Sequence, residues 1–111
     1  MRVETIVDLD ATFSALGDQT RRAILDRLTD GEIGLADLAE PFPMSQTAVS
    51  KHVRVLSAAS LVHVEKRSRT RYCRLNAMTL KPASVWIGEY ESFWNEQVVR
   101  LARHLSEKQE S

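Results

Sequence analysis

The stretch SQTAVSKHVRVL at residues 45–56 decides how the rest of the sequence is interpreted. Successive helical residues lie about 100° apart, which gathers Val49, Val53 and Leu56 into an apolar arc of about 60°. The opposite arc holds hydroxyl and cationic side chains without any carboxylate: Thr47, Ser50, Lys51 and Arg54. A solvated helix face usually mixes charges of both signs, so this composition indicates a face that meets an anionic surface.

Charge is distributed unevenly along the chain, although the formal net charge is zero. Residues 45–75 contain seven Lys or Arg and one Glu, which gives +6, and the remaining residues contain eight basic and fourteen acidic side chains, which gives −6. A molecule polarised in this way directs one face at polyanions. The alternative is a chance cluster of cations on a solvated hairpin.

The length of 111 residues predicts a single domain over 1–111, large enough to bury a hydrophobic core. We expect no signal peptide, and no stretch approaches the roughly 18 apolar residues of a membrane span. Cys73 is the only cysteine, which excludes an intrachain disulfide and fits a reducing compartment. The expectation is a cytoplasmic protein without membrane contact.

Apolar periodicity and capping residues predict a mainly α-helical chain of about five helices with a small β-hairpin. The first three helices end near Gly17, Asp30 and Pro41, a fourth runs from Ser45 to about Ala59, and a last one runs unbroken from near Pro82 to about Lys108. The third and fourth helices form a helix-turn-helix. The β-prone runs at 61–67 and 71–76, joined by a three-residue loop, add a wing.

Three segments of the sequence resemble the ArsR-type winged-helix bacterial repressors. They are FSALGDQTRRAILDRL (13–28), LADLAEPFPMSQTAVSKHVRVLSAASLV (35–62) and RYCRL (71–75). The resemblance covers residues 9–76 without gaps, and WIGEYESFWNEQVVRLARHL (86–105) is similar to a subgroup with an aromatic-rich last helix. It implies a homodimeric, DNA-binding transcriptional regulator, usually a repressor. Residues 9–76 would be the helix-turn-helix core and wing, and 77–108 a C-terminal dimerisation helix.

The chemistry of the side chains supplies the candidate DNA contacts. Hydroxyl and amide groups can reach base edges in the major groove, so we predict base readout by Gln46, Thr47 and Ser50. Cations on the helix are assigned to phosphate or guanine, and those of the wing to the DNA backbone or a narrow minor groove. Together with the helix N-cap, the predicted DNA-binding residues are Ser45, Gln46, Thr47, Ser50, Lys51, Arg54, Arg67, Arg69 and Arg71.

The last predicted helix has an oversized apolar face. The residues within an arc of about 100° are Trp86, Tyr90, Phe93, Trp94, Leu101 and Leu105. A helix this long would overhang so small a domain, so we expect a second copy to cover the face. The two-fold pair would bind a palindromic operator on double-stranded DNA. The alternative is that the stripe covers only the chain's own core beside Phe13 and Leu16.

Three other groups of polar residues are assigned structural roles. His52 falls on the inward arc of its helix and is expected to be a packed, hydrogen-bonded histidine. Arg21 and Arg22 are expected to pair with Asp18 and Asp26 respectively. Because no nucleophile motif, phosphate-binding glycine loop or carboxylate pair stands out, we predict that the protein is not an enzyme and needs no cofactor.

Metal and redox sensing remain as alternatives. The resemblance includes metal sensors, but GLADLAEPF carries no sulfur in the third helix, and Glu89-Tyr90-Glu91 lacks the histidine of the other known metal site. We therefore predict no metal and leave the effector unknown. Cys73 would act as a redox switch only if Arg71 and Arg74 lowered its pKa. A protein–protein interaction module and an accessory subunit of an enzyme are the remaining alternatives.

Overall fold

The computed structural model describes residues 8–110, and it describes side chains for 8–108. Within this range the chain forms six α-helices and a three-stranded antiparallel sheet. The helices are α1 (Leu9–Leu16), α2 (Gln19–Arg27), α3 (Leu35–Ala39), α4 (Gln46–Ala58), α5 (Lys81–Gly88) and α6 (Glu91–Glu110). The strands are β1 (Ile33–Gly34), β2 (Val62–Arg67) and β3 (Thr70–Leu75), and 3₁₀ turns span Leu28–Asp30 and Ala77–Leu80. The winged helix-turn-helix prediction is confirmed.

Three helices begin at side-chain caps. Asp8 Oδ1 accepts from the Ala11 N–H, and Asp18 Oδ1 accepts from the Arg21 N–H. At the start of α4, Ser45 Oγ accepts from the Ala48 N–H at 3.1 Å. Each bond satisfies a first-turn amide that lacks a partner within its own helix. The start of α4 is therefore determined by a hydrogen bond between residues that are close in sequence.

The end of α4 is a Schellman motif built on serine. Ser60 has a φ of 63°, in the left-handed region that favours glycine. Its N–H donates to the Ser57 carbonyl, and the Leu61 N–H donates to the Leu56 carbonyl, both at 2.9 Å. Because the chain turns this sharply, Leu61 enters the core and β2 begins at the next residue.

The core lies where α2, α3 and α4 meet the inner face of the sheet. Fully buried side chains include Ile24 of α2, Leu38 of α3 and Cys73 of β3. The predicted apolar arc of α4 is confirmed, since its three members are between 0% and 5% exposed. Packing of this arc turns the opposite face of α4 outward.

The sheet has the order β1-β3-β2, and β1 was not predicted. Its two residues pair with the central strand, Ile33 opposite Cys73 and Gly34 opposite Tyr72. The loop between β2 and β3 contains two residues rather than the predicted three, because Arg67 pairs with Thr70. Ser68 makes this tight turn possible by adopting a φ of 59°.

The last helix is divided in two, so the prediction of one unbroken helix is wrong. Gly88 is the final residue of α5, and glycine is a weak helix former. The Tyr90 N–H donates to the Ile87 carbonyl at 3.0 Å, a tight turn across only three residues. Helix α6 restarts at Glu91, with the Trp94 N–H donating to the Tyr90 carbonyl.

The arginines at the start of α2 serve the end of α1. Arg21 Nε donates to the Ala15 carbonyl at 2.7 Å, and Arg22 Nη1 donates to the Leu16 carbonyl at 2.6 Å. The carbonyl end of a helix attracts cations, which outweighs their unfavourable place in the first turn of α2. The predicted contact between Arg21 and Asp18 is confirmed at 3.9 Å. The predicted pairing of Arg22 with Asp26 is wrong, because the Arg22 guanidinium turns to Leu16 instead.

Helix α6 projects from the rest of the molecule. Every described residue from Ser84 to Lys108 is exposed in the single chain. The Cα radius of gyration is 19.1 Å, compared with about 13 Å for a compact chain of this length. At 20 residues, α6 is about 30 Å long. Its apolar residues therefore lack a core within their own chain.

Candidate nucleic-acid interface

The outward face of α4 carries the polar residues predicted for it. Gln46, Thr47, Lys51 and Arg54 are exposed, and Ser50 is half-buried. Ser45 is exposed too, with its hydroxyl oxygen engaged as the helix cap. Amide, hydroxyl and cationic groups thus share one ridge, which is exposed except at Ser50. Such a ridge can contact both base edges and phosphates.

A groove separates this ridge from the wing. Its deeper part, of about 190 Å³, is lined by Leu35, Ser50, Val53, Arg54, Ser57, Val64, Arg71 and Cys73. A hollow of about 330 Å³ nearer the hairpin tip is lined by Leu35, Ala36, Gln46, Lys66, Arg69, Thr70 and Arg71. The fold therefore brings three of the predicted helix contacts (Gln46, Ser50 and Arg54) and two of the predicted wing contacts (Arg69 and Arg71) to the same groove, although they lie far apart in sequence.

Alternation along the strands decides which wing cations face the groove. Lys66 and Arg71 stand directly opposite each other across β2 and β3. They continue the inner face formed by Val64 and Cys73, which form the next inward pair. Like charges directly opposite destabilise a sheet, so this pair is favoured when an anion lies beside it. Lys66 was absent from the predicted DNA contacts, and counting two residues on from Val64 would have found it.

Arg67 lies on the outer face of the wing, away from the groove. Its guanidinium forms an ion pair with Glu32 and stacks over the Tyr72 ring, 4.0 Å from the ring centre. The hydrogen bond to Glu32 raises the pKa of Arg67 above its ordinary value. Arg67 therefore already has an acidic partner within its own chain.

His52 links α4 to the start of α2. Its Nδ1 lies 3.3 Å from Arg21 Nη1 and 3.9 Å from Asp18 Oδ1, and its side chain is half-buried. The predicted hydrogen-bonded histidine is confirmed, at the edge of the core. The Arg21 backbone N–H lowers the pKa of Asp18, and His52 adds to the effect. These contacts attach α4 to the start of α2.

Cys73 does not have the environment of a reactive thiol. The side chain is fully buried, and burial raises the pKa of Cys73, with Glu32 acting in the same direction. The idea that Arg71 and Arg74 lower this pKa is thus wrong. Among residues 8–108 no group of three His, Cys, Asp or Glu side chains lies close enough to hold a metal ion. Nor does any helix in that range have the length and apolarity to span a membrane.

The residues predicted for a dimer interface form an exposed apolar face across α5 and α6. Their exposed fractions range from 46% to 61%: Trp86, Tyr90, Phe93, Trp94, Leu101 and Leu105. The Trp86 ring contacts the rings of Phe13 at 5.6 Å and Tyr90 at 5.3 Å, both edge to face. The apolar stripe therefore begins against α1, as the alternative expectation had it, and continues beyond the core along α6.

Comparisons with known proteins agree with this architecture. Residues 16–65 match the family described as a helix-turn-helix domain. The transcriptional repressor SdpR of Bacillus subtilis is 32% identical over 79 residues, which cover 71% of this chain and 88% of SdpR. The HTH-type transcriptional regulator Rv2034 of Mycobacterium tuberculosis is 33% identical over 94 residues, which cover 85% of each protein. The crystal structure of an ArsR family transcriptional regulator, RHA00566, has a TM-score of 0.71 and 32% identity, covering 78% of this chain and 90% of that one.

Proposed function

This chain belongs to the ArsR family of DNA-binding transcriptional regulators, and from that premise we propose that it represses transcription as a homodimer on a palindromic operator. One observation carries the proposal: polar residues of α4 (Gln46, Ser50 and Arg54) and the inward cations of the wing (Lys66, Arg69 and Arg71) line the same groove. The proposal places the protein in the cytoplasm, where a bacterial repressor meets the chromosome. As a member of this family, the protein regulates transcription and is not an enzyme.

Helix α4 would lie in the major groove with its first turns against the bases. Gln46, Thr47 and Ser50 carry donors and acceptors that suit base edges, and their position near the start of α4 supports this role. Lys51 and Arg54 would bind phosphate or guanine. Ser45 holds the helix start in place through its cap bond. The wing contributes Arg69 and Arg71, with Lys66 added by its inward position.

The segment 77–108 would form the dimer interface, with 9–76 as the DNA-binding core and wing. Trp94, Val98, Leu101 and Leu105 recur at intervals of four, three and four residues, the spacing of a two-helix seam. All four are about half exposed or more in the single chain. A second copy packed on this seam would relate two recognition helices by a two-fold axis. Half-sites would then lie about one turn of DNA, or a multiple, apart.

Selection of bound duplexes from a random-sequence pool tests the proposal. The expected product is a palindrome, bound by two chains per duplex in sedimentation. Affinity should fall steeply with salt, because phosphate contacts release counterions. Asymmetric selected sites, or one chain per duplex, would contradict the dimeric palindrome. A chain that is retained on neither heparin nor duplex DNA at low salt would instead favour the protein–protein interaction alternative.

A further inference from the structure

We propose that Glu32 and Arg67 form a strap across the outer face of the wing, and that Glu32 is a positioning residue for DNA binding. The strap would set the angle of the hairpin, so that Arg69 and Arg71 reach the DNA backbone while Arg67 does not. This inference rests on the proposed function, because it assumes that the wing contacts DNA.

The geometry of the strap follows from the strand register. Arg67 pairs with Thr70 at the hairpin tip, whereas Glu32 comes two residues before Gly34, which pairs with Tyr72. The Arg67 side chain therefore extends from the tip toward the base of the sheet, over the Tyr72 ring, to the Glu32 carboxylate. A Cβ at Gly34 would lie 3.7 Å from Tyr72 Cε1, so the ring also lies against β1.

The hairpin needs such a restraint because β1 is short. Its two residues pair with Cys73 and Tyr72, and the tip from Lys66 to Arg71 extends beyond them as a two-stranded ribbon. Two-stranded ribbons are marginally stable on their own. The opposed cations Lys66 and Arg71 weaken this one further on its inner face. The Arg67–Glu32 ion pair and the stacking of Arg67 on Tyr72 are the contacts on the outer face that hold the hairpin tip against β1.

The same geometry separates the roles of the wing arginines. Arg69 and Arg71 line the groove shared with Gln46 of α4. Arg67 faces the opposite side and is already neutralised by Glu32. To bind phosphate, Arg67 would have to leave both Glu32 and Tyr72, and the freed carboxylate would repel the DNA. Holding the hairpin is the role that these contacts favour.

The competing view is that Glu32 only adds negative charge near the DNA. The two views predict opposite signs for Glu32→Gln, which removes the charge with little change in shape. If Glu32 merely repels DNA, E32Q binds the selected operator more tightly. If Glu32 positions the wing, E32Q binds more weakly. Glu65→Gln is the matched control, because Glu65 stands opposite Tyr72 and its substitution removes the same charge without breaking the strap.

Operator affinity measured over a salt series separates positioning from simple destabilisation. We expect Arg67→Ala to weaken operator binding by about three- to tenfold, the combined weight of an exposed ion pair and a cation–π contact. E32Q should lie at the low end of this range, because it loses the ion pair and keeps the Tyr72 contact. Each should also reduce the salt slope by about 0.9, because the displaced tip loses the Arg69 phosphate contact. Adding Arg69→Ala to E32Q should then change the slope no further, whereas R69A alone should reduce it.

Two further measurements keep the result interpretable. Hydrogen exchange of the free protein should be faster at residues 66–71 in E32Q than in E65Q, with the thermal midpoint nearly unchanged. The double variant E32R/R67E restores the ion pair with its two charges exchanged. It should recover part of the salt slope of operator binding that E32Q loses.

The outcomes that overturn the inference are distinct from failure of the proposed function. If the wild-type chain binds no duplex, the proposed function fails and the inference falls with it. If the wild type binds but E32Q behaves like E65Q, only the strap is refuted. If R67A reduces the slope while E32Q strengthens binding, Arg67 is itself a phosphate contact.

Discussion

Ser50 and Arg54 belong both to the polar ridge of α4 and to the groove between that ridge and the wing. Both line the deep part of the groove beside Val53, one turn or less along α4 from the exposed Thr47 and Lys51. A base-reading side chain needs such a fixed position, because specificity depends on hydrogen-bond geometry. At the residue scale, substitutions can test which side chains contact bases and which contact phosphates.

Replacing Thr47 or Ser50 with alanine should weaken binding to the selected operator by about 1–3 kcal/mol and leave binding to random duplex nearly unchanged. The reason is that each hydroxyl would contact a base. Arg54→Ala is the comparison: it should weaken both duplexes and lower the salt slope by about one. Mobility-shift titrations on both duplexes supply the measurement. Equal losses on the two duplexes would remove Thr47 and Ser50 from base readout.

Asp18 should give stability a pH dependence. The Arg21 N–H holds the pKa of Asp18 below its ordinary value of 3.8, with His52 and Arg21 adding charge attraction. A carboxyl group with a lowered folded-state pKa stabilises the fold above its unfolded-state pKa, and this stabilisation is lost as pH falls through the folded-state value. Asn keeps a cap acceptor but cannot ionise, so Asp18→Asn should be the less stable protein at pH 7.

The gap between wild type and D18N should therefore close as the pH is taken below 3.8. Urea unfolding across this range measures it. A gap that stays constant with pH would mean that the Asp18 charge has no stabilising role.

At the element scale, the wing carries a conflict between stability and binding. The inner-face cations Lys66 and Arg71 stand directly across the hairpin and cannot both be favourable in the free protein. Helix α4 contains no such conflict, because its N-cap, its buried apolar arc and its C-terminal turn all favour the same placement of the helix. A conflict of this kind is expected where a surface must meet a charged partner.

Changing Lys66 and Arg71 together to glutamine should relieve this repulsion. We expect the thermal midpoint to hold or rise slightly, while the salt slope of DNA binding falls by about two. A double change of Lys81 and Arg103, which lie outside the wing and α4, serves as the charge-matched control. A lowered midpoint with an unchanged slope would show that these two cations serve the fold and not DNA.

At the scale of the whole molecule, the apolar face of α5 and α6 is the dominant feature. It begins where Trp86 contacts Phe13 and continues along α6, in which every residue from Glu91 to Lys108 is exposed. Exposed aromatic and aliphatic groups in one continuous stripe mark an interface. The extended shape, 69 Å in its longest dimension, is therefore expected of one half of a dimer.

Trp94→Glu should convert the proposed dimer to monomers with little operator affinity, because a carboxylate would be buried at the centre of the seam. Sedimentation at micromolar concentration measures this, with the intact chain expected near twice its mass of 12.6 kDa. Arg103→Gln changes the net charge by the same unit on the opposite side of α6 and should remain dimeric. An intact chain that sediments as a monomer and still binds a palindrome tightly would contradict this account of α6.

The sequence by itself determined the features that depend on near neighbours. The two arcs of α4 follow from helical periodicity alone, and the Ser45 cap needs only three further residues. The positions of β2 and β3 were found to within one residue by β propensity. Membership of the winged-helix class followed from the order of these elements. Each of these rests on interactions within a single turn, strand or hairpin, which a short window of sequence contains.

Tertiary structure alone decided the features that join distant residues. Strand β1 exists because Ile33 and Gly34 pair with a strand about 40 residues later, and two residues carry no periodic signal. The sequence predicts Arg67 as a DNA contact, and only the fold shows that it also pairs with Glu32, 35 residues away. Arg21 likewise meets His52 across 31 residues. Such pairings depend on which faces the packed core turns toward each other, and no local pattern encodes that.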